Sequence, residues 1–298
     1  MNTSISSHLP MIGLVGAGLM GHGIARNLLL RGHALAVLEH AGNQPLDELL
    51  QLKAYTTSDL QALAAQSSVL ILCVTGSAQV EAVLLGENGA LKTLRPSAIV
   101  VDCSTSLPAS TERVAQAVHE AGGQFVDAAM TRTAKEAHEG RLNLLVGAQA
   151  EVFERVRPLL ACFAENITHC GVVGAGHRMK LLHNSVSLGF IALLAEVAAC
   201  AKRSGIDPTV FVNVLAKGGG ASAALERLKP FILHGDSSGL KFAMGNAQKD
   251  LGYYNEMAKD QAAVSAIAHA VHATYAQAAQ EAGLQALVPE LVALLAKR

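Results

Sequence analysis

The feature that most constrains this chain is a glycine turn near its start, Gly16-Ala17-Gly18-Leu19-Met20-Gly21. An apolar run, Ile12 to Val15, precedes it, and an amphipathic segment ending near Arg31 follows. The run reads as a β-strand, the segment as a helix, and Ala34 to Leu38 as a second strand. Each glycine has a separate use there. Gly16 permits the tight turn, Gly18 lets backbone approach a ligand, and Gly21 lets helix and strand pack closely. Free N–H groups at the helix start face an anion. Glu39 follows the second strand, eighteen residues beyond Gly21. The competing reading is an ordinary βαβ turn without a ligand. Strand, turn, helix and acid in this order favour a dinucleotide site, with the pyrophosphate over the turn.

A chain of 298 residues is long enough for two cores. With 51% hydrophobic and 16% charged residues it is globular, and a net charge of −1 without a basic run argues against nucleic acid. Five scattered cysteines lack CxxC spacing, which fits buried thiols in a reducing cytoplasm and not a disulfide framework. Residues 1–10 carry no basic patch followed by an apolar run, so they read as a loose leader and not a signal peptide. Val186 to Ala201 is apolar but shorter than the roughly 18 residues of a membrane span, and it contains Glu196. A buried helix and no membrane association are expected.

From Met11 to Val173 short apolar runs alternate with amphipathic segments. Val69–Val74, Ala98–Val101, Gln124–Asp127 and Leu142–Val146 read as strands, and Ser77–Leu85 and Ser110–Ala121 as helices. This is the pattern of an α/β, doubly wound Rossmann-type sheet, mostly parallel, over 11–173. Beyond Gly176 the strand signal stops. His177–Arg203 is apolar almost all round, the mark of a helix buried on every side. Pro208–Ala216, Ala221–Leu233, Ala243–Gln280 (with a possible break) and Leu287–Lys297 complete an all-helical domain over 174–298. So apolar a central helix needs more cover than one small domain supplies, which points to a homodimer or homotetramer.

Lys180 lies early in that helix, with Asn184 four residues on and on the same face. Burial moves a lysine toward neutrality, as a general acid/base requires. The alternative is a lysine that snorkels from the helix start. The residue pattern alone leaves the two readings even. His177 and His183 share the helix, but none of the twelve histidines stands in metal-ligand spacing, and no metal is expected.

Four segments carry a resemblance. GAGLMGHGIARNL, Asp102-Cys-Ser-Thr105-Ser-Leu-Pro108, GAGHRMKLLHN and Lys249-Asp250-Leu251 resemble, in order and spacing, the signatures of the β-hydroxyacid dehydrogenase family. That group contains 3-hydroxyisobutyrate dehydrogenase and tartronate semialdehyde reductase. The resemblance implies hydride transfer between a nicotinamide and a small β-hydroxy acid or its semialdehyde. Lys180 becomes the acid/base, Asn184 holds substrate, and Val74, Thr75, Thr105 and Lys249 join Gly16 to Gly21 at the cofactor. Two other functions share the architecture: an imine reductase, whose members usually replace the lysine, and a non-catalytic cofactor-binding regulatory protein.

One segment departs from the family. Where it reads D-A-P-V-S-G-G, with the Ser-Gly-Gly segment on the substrate carboxylate, this chain reads Asp127-Ala-Ala-Met-Thr131-Arg132-Thr133. Thr131 keeps the hydroxyl. Arg132 either binds an acidic group of the substrate bidentately, the favoured reading, or points to solvent or pairs with Glu136. Glu39 favours NAD, since a carboxylate there accepts from ribose hydroxyls and repels a 2′-phosphate; His40 keeps NADP open.

Overall fold

The glycine turn is in place in the computed structural model, which describes residues 11–297. The leader 1–10 lies outside the described residues. Strand β1 (Met11–Val15) runs into the turn and helix α1 (Leu19–Leu30) leaves it, followed by β2 (Leu35–Leu38). Then come α2 (Asp47–Gln51), β3 (Tyr55–Thr57), α3 (Leu60–Gln66), β4 (Ser67–Leu72), α4 (Ser77–Leu85), β5 (Ile99–Asp102) and α5 (Pro108–Glu120). The sheet ends with β6 (Gln124–Thr131), α6 (Ala134–Glu139), β7 (Leu142–Gly147), α7 (Ala150–Leu160) and β8 (Ala164–Gly171).

The eight strands form one sheet in the order β3-β2-β1-β4-β5-β6-β7-β8. β1 through β6 are parallel; β7 pairs antiparallel with β6, and β8 runs parallel to β7. The doubly wound sheet expected from the sequence is therefore present, with its last two strands reversed. The runs 69–72 of β4 and 99–101 of β5 are apolar, like 12–15 of β1, because helices cover both faces of the sheet. One core forms around Leu14, Ile24, Leu28 and Val101, the other around Leu63, Leu70, Val100 and Val114. Chain order reverses between β1 and β4, so the carboxyl ends of these strands flank the crevice where ligands of such sheets bind.

Helix α8 (Ala175–Arg203) follows the sheet. The compact units of the chain part within it, between Lys180 and Leu181, whereas the sequence pattern placed the boundary at 173/174. The difference has a local cause: the first turns of α8 are bonded to the end of the sheet, through Asp127 and Met130.

The helical unit continues with α9 (Pro208–Ala216), α10 (Ala223–His234), α11 (Met244–Asp260), α12 (Ala266–Ala282) and α13 (Leu291–Lys297). Asp207 caps α9 ahead of a proline at its first position, and Ser222 caps α10. The long segment 243–280 is indeed broken, after Asp260. Leu188, Ile191, Ala195, Leu251 and Tyr275 make the core of this unit, and the buried Tyr275 hydroxyl donates to Leu188 O at 3.1 Å.

Helix α8 corrects one expectation. It is not buried on every side, because Leu182, Val186, Phe190, Leu193 and Val197 form an exposed apolar stripe along it. By length and composition α8 could cross a membrane, with a mean hydropathy of 1.6 over its most apolar window, half of which is buried inside the protein.

Candidate active site

At the carboxyl end of β1 the backbone at Gly16 takes φ 95°, a left-handed conformation that glycine adopts without strain. A Cβ at Gly16 would lie 2.3 Å from Cys73 O, and one at Gly21 would lie 1.9 Å from Gly16 O. These two glycines are required by packing. Gly18 differs: a Cβ there would meet nothing within 4 Å. Gly18 also stands at the N-cap of α1, with no capping side chain and no acidic residue in the first turn. The first turn thus offers N–H groups and positive dipole to an anion. A pyrophosphate fits this cradle of open backbone.

Ala17 N donates to Asn43 Oδ1 at 3.1 Å, and Gln44 N donates to Ala17 O at 2.8 Å. The loop after β2 is thereby tied to the glycine turn, a role for Asn43 that the sequence did not signal. Glu39 is exposed directly after β2, its N–H bonded to Thr57 O at 2.8 Å. His40 Nδ1 accepts from Gly42 N at 3.0 Å, so only Nε2 of that ring is available outward.

Two further strand ends line the crevice. Val74 N donates to Ser104 Oγ at 3.1 Å, and Ser104 N donates to Asp102 Oδ1 at 2.9 Å. Leu107 N donates to Ser77 Oγ at 2.8 Å. The segments holding Val74–Thr75 and Thr105 are thus hydrogen-bonded to each other beside the glycine turn. Cys73 and Cys103 lie here too, but as inert thiols. Burial, helped by the Asp102 carboxylate, pushes Cys73 up to about 12, and burial pushes Cys103 up as well.

Lys180 is buried in α8, and its Nζ donates to Met130 O at 2.7 Å, at the carboxyl end of β6. The start of α8 is built on Asp127, the register partner of Asp102 in the sheet. Gly174 N and His177 N donate to the two Asp127 oxygens at 2.7 and 2.8 Å. Burial raises the Asp127 carboxyl above its ordinary value, while His177 and these N–H donors oppose the rise.

In the helical unit Asn184 is buried, and its Nδ2 donates to Asp250 Oδ2 at 2.6 Å. Its Oδ1 lies 3.0 Å from His183 Nδ1. Lys249 Nζ lies 3.1 Å from Asp250 Oδ1 and 5.3 Å above the Tyr253 ring. Asp250 therefore fixes the amide of Asn184, while Lys249 lies beside its other carboxylate oxygen.

The segment after Met130 corrects the favoured reading of Arg132. Its guanidinium is bonded to Arg141 O and to the Glu165 carboxylate on β8, which holds Glu165 below its usual range. The side chain is structurally engaged, with Glu165 and not Glu136 as its partner. Glu136 instead closes a capping box: Thr133 Oγ1 and Thr133 N donate to its Oε2 at 2.6 and 3.0 Å. Thr133 is the N-cap of α6, a role that accounts for its hydroxyl without a ligand.

Two family models match the chain. Residues 11–171 match the NAD binding domain of 6-phosphogluconate dehydrogenase, and residues 174–295 match the NAD-binding domain of NADP-dependent 3-hydroxyisobutyrate dehydrogenase. The chain is 33% identical to 2-hydroxy-3-oxopropionate reductase of Escherichia coli over 83% of its length and 84% of that protein. It is 32% identical to 2-(hydroxymethyl)glutarate dehydrogenase of Eubacterium barkeri, covering 84% of this chain and 82% of that one. Among solved structures, 3-hydroxyisobutyrate dehydrogenase from Salmonella typhimurium is similar with a TM-score of 0.82 and 25% identity, over 96% of this chain and 99% of that one.

Proposed function

The chain belongs to the β-hydroxyacid dehydrogenase family, and on that premise we propose that Lys180 is its general acid/base. The protein is an NAD(P)-dependent oxidoreductase of hydroxy acids. The single observation that carries the role of Lys180 is its buried ammonium, held on Met130 O where β6 ends. That carbonyl fixes Nζ at the end of β6, and an ammonium can donate to a substrate oxygen as well as to a carbonyl. When bound, the nicotinamide supplies or accepts the hydride. Lys180 gives a proton to the carbonyl oxygen in reduction and takes the hydroxyl proton in oxidation.

Asn184 is assigned to the substrate, with its amide orientation set by Asp250, and Thr131 supplies a hydroxyl to the substrate carboxylate. Gly16 through Gly21, Val74, Thr75, Thr105 and Lys249 are assigned to the cofactor. The relatives' names support the substrate class. In 2-(hydroxymethyl)glutarate and 2-hydroxy-3-oxopropionate alike, the reacting oxygen sits on the carbon β to a carboxylate. We assign NAD over NADP on the exposed Glu39 carboxylate, a homodimer joined through α8, and a cytoplasmic location.

Replacing Lys180 with Ala should lower kcat by about a thousandfold, within the range for loss of a positioned acid/base. The dissociation constant for NADH should stay within about twofold of wild type, since no cofactor contact is removed. Near-normal turnover would overturn the assignment. NADH oxidation against aldehydo-acids, cyclic imines and blanks separates the hydroxyacid reading from an imine reductase or a silent binder. A clear preference for NADPH in kcat/KM would overturn the choice of NAD.

A further inference from the structure

His177 is fully buried at the start of α8, and the reaction just described makes no use of it. Its Nδ1 lies 2.7 Å from Thr111 Oγ1 on α5. Its Nε2 lies 3.8 Å from Asp102 Oδ2, both side chains fully enclosed, and has no hydrogen-bond partner among the described residues. Leaving a buried ring nitrogen unbonded costs on the order of 1–3 kcal/mol, so stability alone favours an apolar side chain here.

The surroundings give the ring another purpose. Asp102 Oδ1 accepts from Ser104 N, and Ser104 Oγ accepts from Val74 N, the backbone against which Gly16 packs. Among the described residues, Asp102 Oδ2, the oxygen facing His177, otherwise accepts only from Ser106 Oγ, at 3.4 Å. On the other side, His177 N is bonded to Asp127, and Lys180 follows within the next helical turn. The imidazole therefore stands between the acid that shapes the dinucleotide crevice and the helix that carries the acid/base.

We propose that His177 is a positioning residue: through Asp102 it holds the Ser104–Val74 wall of the cofactor crevice in register with the start of α8. Thr111 aims the ring by engaging Nδ1, which leaves Nε2 directed at Asp102. This inference rests on the dinucleotide reading of the glycine turn.

Two isosteric replacements divide the ring's edges. Asparagine places a polar atom where Nδ1 stands, and glutamine places one where Nε2 stands. His177→Asn should weaken NADH binding, read by fluorescence titration, and raise KM for NADH by about tenfold, with kcat within about threefold; tenfold corresponds to one modest polar contact. His177→Gln should bring both values back to within about twofold of wild type. Thr111→Val leaves the histidine in place and unaims it, and should weaken NADH by about threefold even if either His177 variant fails to fold.

Equal NADH affinities in the Asn and Gln variants, losses confined to kcat, or an unchanged affinity in Thr111→Val would each overturn the proposal. Failure of the wild-type protein to bind either NADH or NADPH would instead overturn the dinucleotide reading.

Discussion

A methyl group added at Gly18 would meet nothing within 4 Å, whereas one at Gly21 would lie 1.9 Å from the Gly16 carbonyl oxygen. The two substitutions should therefore part company. Gly18→Ala leaves packing intact and intrudes only on the space a pyrophosphate takes, so the melting temperature should hold while NADH affinity falls by about tenfold or more. Gly21→Ala forces α1 away from β1 and should lower the melting temperature as well. Equal behaviour of the two variants in calorimetry would refute the division. Arg132 poses a different residue-scale question. It follows β6 directly with φ 78°, a left-handed conformation costly for a residue with a Cβ, and its guanidinium is committed to Glu165 and Arg141 O. Arg132→Ala should therefore change KM for an acidic and a neutral substrate by the same factor. A selective loss for the acidic substrate would restore the anion-binding role that the sequence suggested.

At the scale of elements, α6 depends on one cap. The hydrogen bond that the Thr133 hydroxyl donates to it holds the Glu136 carboxyl below its usual 4.5. A carboxyl whose folded value is depressed stabilises above its unfolded value, and that contribution is lost as pH falls through the folded value. Thr133→Ala should cost about 1 kcal/mol at neutral pH. The variant's melting temperature should also fall less steeply than wild type below the carboxyl's usual 4.5, because less carboxylate stabilisation remains to be lost. Parallel acid limbs for the two proteins would show that the box contributes nothing.

What was legible at this scale follows from burial. β4, β5 and the core of β6 read as apolar runs because both sheet faces are covered. β8, Ala-Glu-Asn-Ile-Thr-His-Cys-Gly, escaped notice because it is an edge strand whose side chains are mostly exposed or half-buried. β3 is also an edge and has only three residues, Tyr-Thr-Thr. Lys180 and Asn184 were legible as a spacing on one helix. The Asp102–His177–Thr111 cluster was not, since β5, α8 and α5 bring it together from distant parts of the chain. The Glu165 partner of Arg132 was hidden likewise, because it arrives on the edge strand that the pattern missed.

At the scale of the whole molecule, the apolar stripe of α8 is the feature that a single chain leaves unexplained. Leu182, Val186, Phe190, Leu193 and Val197 recur at intervals of three and four, so they share one helix face, and Val186 and Leu193 are 58% and 59% exposed. Such a row on an exposed surface marks an interaction site. A second copy of the chain is the simplest cover, since a two-fold axis across the helix lets the same stripe pair with itself. Charge placed on the stripe would then have to be buried without a partner, at a cost of several kcal/mol per group. The wild-type protein should scatter light as twice 30.9 kDa at micromolar concentration. Val186→Glu combined with Leu193→Glu should bring it to the single-chain mass with the sheet unit's NADH affinity unchanged. A wild-type protein already monomeric, or a double variant still dimeric, would show that the stripe serves some other partner and that α8 is not the axis of assembly.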